Sequence, residues 1–327
     1  MKLKQFFNIN TDSMKSMGVL IDKEVSDYIR SKKFIVLLLI VLCTSVASLY
    51  SALTTLRHNP PSPDSAQASF FFLQVFTHSD GTLPPFHVFI SFLGPLLGIC
   101  LGFDAINAEY TNRSLTRILA QPIARDGLLN AKFIGALIIL VFIFASLICM
   151  TVGLAVFWTG LTPSFHECLR LGLFLFVTVA YVGFWLNLAL LFSVLWKHPA
   201  TSALVSIAVW LFFMVFYPMI IGVIAKGMAP GMYASNQEIQ SFQNFILSIM
   251  RLAPNQLYED GTLVLLMPKV RSLSPLSMEQ MQGAIPTALP VWESVKVVWT
   301  QVTALIASTV ICFACSYFVF MRREIRA

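Results

Sequence analysis

Long apolar runs separated by short charged segments dominate the pattern of this sequence. Six runs of at least 20 residues contain no Asp, Glu, Lys or Arg. A bilayer core of roughly 30 Å is crossed by about 20 helical residues, because each residue advances a helix by about 1.5 Å. The runs therefore predict six spanning helices: Phe34–Leu56, Pro84–Phe103, Phe133–Trp158, Leu171–Trp196, Pro199–Ala225 and Val297–Met321.

Composition supports an all-α membrane protein. Hydrophobic residues make up 57% of the chain and charged residues only 12%, whereas charged residues are about a quarter of a soluble domain. The short alternating segments of about 10 residues that build a transmembrane barrel are not seen in the sequence. A lipid-exposed backbone must satisfy its own hydrogen bonds, so runs of this length favour helices.

The distribution of basic residues predicts the orientation. With the N-terminus inside, 15 of the 22 Lys and Arg residues fall on the cytoplasmic side, as the positive-inside rule requires. We therefore expect a multi-pass protein of the cell membrane with both termini in the cytoplasm. The net charge of +6 then reflects this bias and does not indicate nucleic-acid binding.

This topology divides the chain into five parts. They are a cytoplasmic N-terminus with an interface helix (1–33), spans one to five with a cytoplasmic loop at 104–132 (34–225), an extracellular helical segment (226–296), span six (297–321) and a cytoplasmic tail (322–327).

The N-terminal segment before the first span reads as an amphipathic helix. Its apolar stripe is Ile21, Val25, Tyr28 and Ile29. We expect Asp22, Lys23, Glu24, Asp27 and Arg30 to face away from that stripe. This pattern is typical of a helix that lies along a membrane surface.

The loop between spans two and three predicts a second short helix, which Pro122 ends at about Gln121. Leu115, Ile118 and Leu119 share one face, while Arg113 and Arg117 share another. This helix could rest on anionic headgroups or dock on a protein partner, and the pattern alone favours neither.

The predicted spans contain almost no ionisable residues, and the chain has no G-x-x-x-x-G-K-S/T phosphate loop. Energy for any transport would come from another subunit, so we expect no cofactor in this chain. Gly94, Gly98 and Gly102 repeat at every fourth position of span two and predict close packing, within the subunit or at a dimer seam. Pro95 and Pro218 could kink their helices.

The segment from Lys226 to Lys296 is predicted to form a small helical cap over the membrane exit. A metal site on the outer side is the competing idea, since His58, His78, His87 and His166 fall there. Only the weak run His166-Glu167-Cys168 approaches ligand spacing, so no metal ligand is assigned.

The loop at 104–132, between spans two and three, resembles the first cytoplasmic loop of the type-2 ABC exporter permeases. The resemblance rests on Glu109, Leu115, Ile118, Leu119, Gln121-Pro122-Ile123, Arg125 and Lys132-Phe133, and on the similar approach to span one, DKEVSDYIRSKKF. The chain departs from the family at Tyr110 to Ser114, which replace a charged pair and Gly-Thr.

The resemblance implies a permease subunit without catalysis of its own. It would pair with a second permease subunit, as a homodimer or heterodimer, and rest on a separate ATP-binding subunit that holds ATP and Mg. The implied ATPase-coupling residues are Glu109, Arg113, Leu115, Arg117, Ile118, Leu119 and Arg125. A membrane scaffold without transport, a permease for a metal-related cargo and an intramembrane enzyme remain as alternatives.

Overall fold

The computed structural model describes residues 17–58, 70–111, 125–231, 234–270, 273 and 289–322. The helices in this part of the chain are α1 (17–30), α2 (Lys32–His58), α3 (Phe71–Thr77), α4 (Phe86–Gly102), α5 (Asn107–Thr111), α6 (Arg125–Thr159), α7 (Phe165–Leu195), α8 (Pro199–Leu211), a π-helical turn (Phe212–Phe216), α9 (Tyr217–Gly227), α10 (Asn236–Met250), α11 (Pro254–Leu266) and α12 (Val291–Arg322).

Six helical stretches are long and apolar enough to cross a membrane, which confirms the predicted all-α fold with six spans. The second span continues past its apolar run into α5, to Thr111. The sixth helix starts at Val291, before the expected Val297. Its first turns carry Glu293 and Lys296, which pair on the exposed surface and need no burial.

Helices α4 and α7 form the interior of the bundle. In the most apolar 18-residue window of each span, 72% of the residues are buried for the second span and 67% for α7, but only 11% for the fifth span. Helix α7 packs against α4, α6, α8, α11 and α12. The fifth span instead turns apolar side chains such as Leu204, Met219 and Val223 outward, as a lipid-facing or subunit-facing helix does.

The glycine stripe of α4 lies against α7 of the same subunit. A Cβ atom added at Gly98 would lie 2.6 Å from the carbonyl oxygen of Val182, and one at Gly102 would lie 2.6 Å from that of Leu186. A Cβ at Gly94 would meet the Val182 side chain at 2.9 Å. Because these glycines have no side chains, the two backbones come into contact. Of the two predicted uses of the glycine stripe, the structure shows packing within the subunit.

Both prolines predicted to disturb a helix lie where the helix is irregular or buried. Pro95 lies inside α4, so the Ser91 carbonyl four residues earlier receives no N–H from it. Pro218 is the second residue of α9, which begins where the π-helical turn ends. Such a turn admits one extra residue and is a recognised source of helix irregularity.

The segment between spans five and six contains two helices, α10 and α11, and α11 lies within the bundle. Asn255 at the start of α11 donates from Nδ2 to Sδ of Met214 at 2.9 Å, and Met214 lies in the middle of the fifth span. Tyr258 stacks on Tyr181, midway along α7, with ring centroids 4.3 Å apart. We expected a cap over the ends of the spans, but this part of the segment is inserted between them.

Replacing Gly98 with alanine should destabilise the protein, because the new Cβ would meet backbone atoms that cannot rotate away. We expect a loss of about 1–3 kcal/mol, seen as a lower thermal midpoint in detergent. Gly153→Ala is the matched control, since Gly153 has no atom within 4 Å of an added Cβ. Equal midpoints for the two variants would contradict the close contact.

Candidate functional site

Lys132 is a buried cation shared by two carboxylates. Its Nζ lies 2.9 Å from Oε2 of Glu24 and 2.7 Å from Oε1 of Glu109, and its side chain is only 4% exposed. Glu24 belongs to α1, Glu109 to α5 and Lys132 to the first turns of α6. We call these three residues the coupling base, because they join the two helices that flank the loop, α5 and α6, to the N-terminal helix α1.

The coupling base corrects the predicted orientation of Glu24. We expected this residue on the polar face of α1, but it is 4% exposed and points at Lys132. The contact is possible because α1 lies against Gly135 of α6, where an added Cβ would be 3.3 Å from Cβ of Glu24. Glycine thus allows a close approach at this second junction as well.

The predicted apolar stripe of α1 is partly covered. Ile21, Val25 and Tyr28 are half-buried, while Ile29 is 55% exposed. The Tyr28 hydroxyl is buried and has no hydrogen-bond partner among the described residues. Burial raises the pKa of Tyr28 well above its ordinary value, and the nearby carboxylates of Glu24, Asp104 and Glu109 raise this pKa further.

A second ion pair lies beside the coupling base. Lys33, in the first turn of α2, pairs with Asp104, just after the C-terminal end of α4. Its Nζ also lies 4.4 Å from the centroid of the Phe103 ring. Together with the coupling base, this pair connects spans one, two and three to α1 at one end of the bundle.

Most of the predicted ATPase-coupling side chains lie outside the described residues. These are Arg113, Leu115, Arg117, Ile118 and Leu119. Arg125 is the first residue of α6, and only its backbone is described. Of the predicted set, Glu109 alone has a described side-chain position, and it lies in the coupling base.

A polar cluster lies among α4, α7 and α11, toward the outer side of the predicted topology. The Tyr181 hydroxyl lies 3.0 Å from the Ser91 carbonyl oxygen and 2.8 Å from Oδ1 of Asn255. The Tyr258 hydroxyl lies 3.1 Å from that of Thr178. Pro95 leaves the Ser91 carbonyl oxygen without a helical N–H donor. The Tyr181 hydroxyl lies close enough to donate to this oxygen instead.

Glu259 is the acidic member of this outer polar cluster. The Ser91 hydroxyl donates to its Oε1 at 3.2 Å. Burial raises the pKa of Glu259 above its ordinary value of 4.5; the Ser91 hydrogen bond lowers this pKa, and the neighbouring charge of Asp260 raises it. The net rise means that the structure favours the protonated carboxyl.

No group of three or more His, Cys, Asp and Glu that could hold a metal ion occurs in the part of the chain that the structure describes. In the run His166-Glu167-Cys168, Glu167 is already engaged. Its Oε2 accepts from the Ser164 backbone at 2.8 Å, and its Oε1 accepts from the Phe72 backbone at 2.9 Å. This carboxylate therefore joins the starts of α7 and α3.

Sequence reasoning did not predict the pairing of Lys132 with Glu24, although the sequence around Glu24 contains a signal for it. Positions 21, 24, 25 and 28 lie on one face of a helix, so Glu24 falls inside the apolar stripe. An acid on an apolar face indicates a buried partner. Its partner Lys132 lies 108 residues away, and no local pattern connects the two.

The structure combines six helices long enough to span a membrane with a buried group of charged side chains at one end of the bundle. A family model described as ABC-2 family transporter protein matches residues 19–325. The chain belongs to this family and is a permease component of an ABC transporter, in which the membrane component is typically not the ATPase. A search of curated proteins finds no match.

Replacing Lys132 with methionine should leave two carboxylates buried without their cation. Breaking a buried pair in this way costs about 3–5 kcal/mol. We expect a clearly lower thermal midpoint in detergent, partly restored by adding Glu24→Gln and Glu109→Gln. Lys296→Met is the control, because this lysine pairs on the exposed surface and should cost less than about 1 kcal/mol.

Glu259 should make stability fall as the pH rises. A carboxyl with a raised pKa in the folded state contributes stability below its unfolded pKa, and this contribution is lost as the pH rises through the folded pKa. For Glu259 the loss begins above about 4.5. Thermal midpoints measured against pH should decline less for Glu259→Gln than for wild type.

The control for this measurement is Glu293→Gln, which changes an exposed acid at the start of α12. It should keep the wild-type dependence on pH. If wild type and Glu259→Gln declined equally, ionisation of Glu259 would not be the cause.

Proposed function

We propose that this chain is one half of an ATP-driven export permease, coupled to a separate ATP-binding subunit through α1 and the loop at 104–132. The observation that carries the proposal is the shared cation of the coupling base. In this proposal the protein lies in the plasma membrane, and both of its termini lie in the cytoplasm.

The coupling base is suited to pass a displacement of the loop to the spans. The loop leaves α5 at Thr111, just after Glu109, and joins α6 at Arg125, about two helical turns before Lys132. The side chains of Glu109 and Lys132 are in contact. A partner that moves the loop would therefore move spans two and three together. Glu24 adds α1 to the same unit.

The loop is also connected to the centre of the bundle. The Ser193 hydroxyl on α7 accepts from the backbone of Ile106 at 2.9 Å and from that of Asn107 at 3.2 Å. These donors lie at the start of α5, where helical N–H groups have no partner within the helix. Movement of α5 would thus reach α7 directly.

The exposed apolar faces support a second permease subunit, with lipid around the pair. Span five has the least buried window of the six, and the glycine stripe is already used inside the subunit. In this proposal a second copy or a related permease subunit covers part of such a surface. The transported substrate would then pass between the two subunits, with ATP and Mg held by the partner ATPases.

Copurification in mild detergent tests the proposal. The tagged protein should bring down an ATP-binding subunit, and Arg117→Glu combined with Leu119→Asp should lose it, because the pair reverses a charge and removes an apolar contact in the loop. Recovery should fall about tenfold or more, which corresponds to about 1.4 kcal/mol.

A matched control makes the same two kinds of change on the other side of the membrane. Arg57 and Leu161 are exposed at the opposite ends of their helices, so Arg57→Glu combined with Leu161→Asp should keep the ATPase. If wild type came down without any ATPase, the scaffold alternative would replace the permease proposal. If both double variants kept the ATPase, docking would not depend on the loop.

A further inference from the structure

A cavity of about 720 Å³ lies between the first turns of α7 and α12. Both helices begin on the predicted outer side, so the cavity lies at the outer boundary of the membrane. Its walls include Phe70, Leu173 and Trp292, and among the described residues the ionisable ones that line it are His166 and Arg170. The volume falls within the range of about 300–1,000 Å³ that is usual for small-molecule sites.

Arg170 borders this cavity and is fully buried. Its Nη1 donates to the Leu265 carbonyl oxygen at 3.0 Å, and its Nη2 donates to that of Leu289 at 2.5 Å. Its Nε is buried and has no partner among the described residues. The two hydrogen bonds use two of the five N–H donors of the guanidinium.

The positive charge of Arg170 is only partly offset. No described carboxylate forms an ion pair with it within 4.0 Å, and both oxygens of the neighbouring Glu167 accept hydrogen bonds from α3 and Ser164. Leu265 lies in the last turn of α11, where the helix dipole supplies roughly half a negative charge. A buried cation in apolar surroundings is costly without a full counter-charge.

The cavity and the charge point to one class of ligand. We propose that this cavity binds an anionic lipid of the outer leaflet, with its acyl chain along the apolar walls and its charged headgroup near Arg170 and His166. The exposed rings of Phe165 and Trp292 at the rim suit the headgroup level of a bilayer. The lipid enters sideways between the two helices, independently of any ATPase.

The test uses the full-length protein in nanodiscs that contain a photoactivatable phosphatidylglycerol or a phosphatidylcholine with the same acyl chains. Wild type should be labelled on peptides around 165–173 and 291–295, about tenfold more by the anionic lipid than by the zwitterionic one. Arg170→Gln should remove this preference, and Arg170→Lys should keep it. Arg57→Gln, at another outer helix end, should also keep it.

A second variant tests the cavity without touching its charge. Val295→Trp should fill the space and reduce labelling of these peptides by both lipids, even if Arg170→Gln cannot be purified in folded form. Equal labelling by the two lipids in wild type would overturn the proposal. So would a preference that survives Arg170→Gln, or labelling that Val295→Trp leaves unchanged.

Discussion

The backbone contact between α4 and α7 is the constraint on which the rest of the structure depends. No side chain separates the two helices at Gly98 and Gly102, so neither can shift without a steric clash against the other. At one end of the bundle Ser193 connects α7 to α5, and toward the other end Tyr181 connects α7 to Ser91 of α4. We infer that α4 and α7 move as one body, which links the coupling base to the outer polar cluster.

The polar groups of the outer cluster follow from the cost of an unpaired backbone group in lipid. Pro95 removes a donor from α4, and the Tyr181 hydroxyl lies within hydrogen-bond distance of the Ser91 carbonyl oxygen that loses it. That hydroxyl has a single proton and also lies near Asn255 of α11. The hydroxyl thus lies between α11 and α4, the helix that contains the proline, and donates to one of the two. A change in the position of α11 would therefore change the hydrogen bonding of α4.

Run length was sufficient to predict the spans, because the thickness of a bilayer sets the length of an apolar helix. It could not reveal that α11 is inserted, since this helix has only 13 residues and contains Glu259 and Asp260. The site was predictable in part. Glu109 was identified from the loop, but its contact with Lys132 depends on how α5 and α6 meet, and the Glu24 contact depends on a glycine at position 135. Such pairings come from tertiary packing, which a local periodicity does not encode.

Lys132 and Arg170, the buried cations among the described residues, have opposite environments, and this difference separates their roles. Lys132 lies between two carboxylates, so its charge is satisfied inside the protein and its effect is to hold three elements together. Arg170 has two carbonyl oxygens and a free Nε beside an apolar cavity, so its charge is satisfied only in part among the described residues. Truncating the first breaks an internal network, whereas neutralising the second removes a field that acts on whatever enters the cavity. We infer that Lys132, whose charge is balanced within the protein, stabilises the fold, whereas Arg170, whose charge is balanced only in part, is available to a ligand.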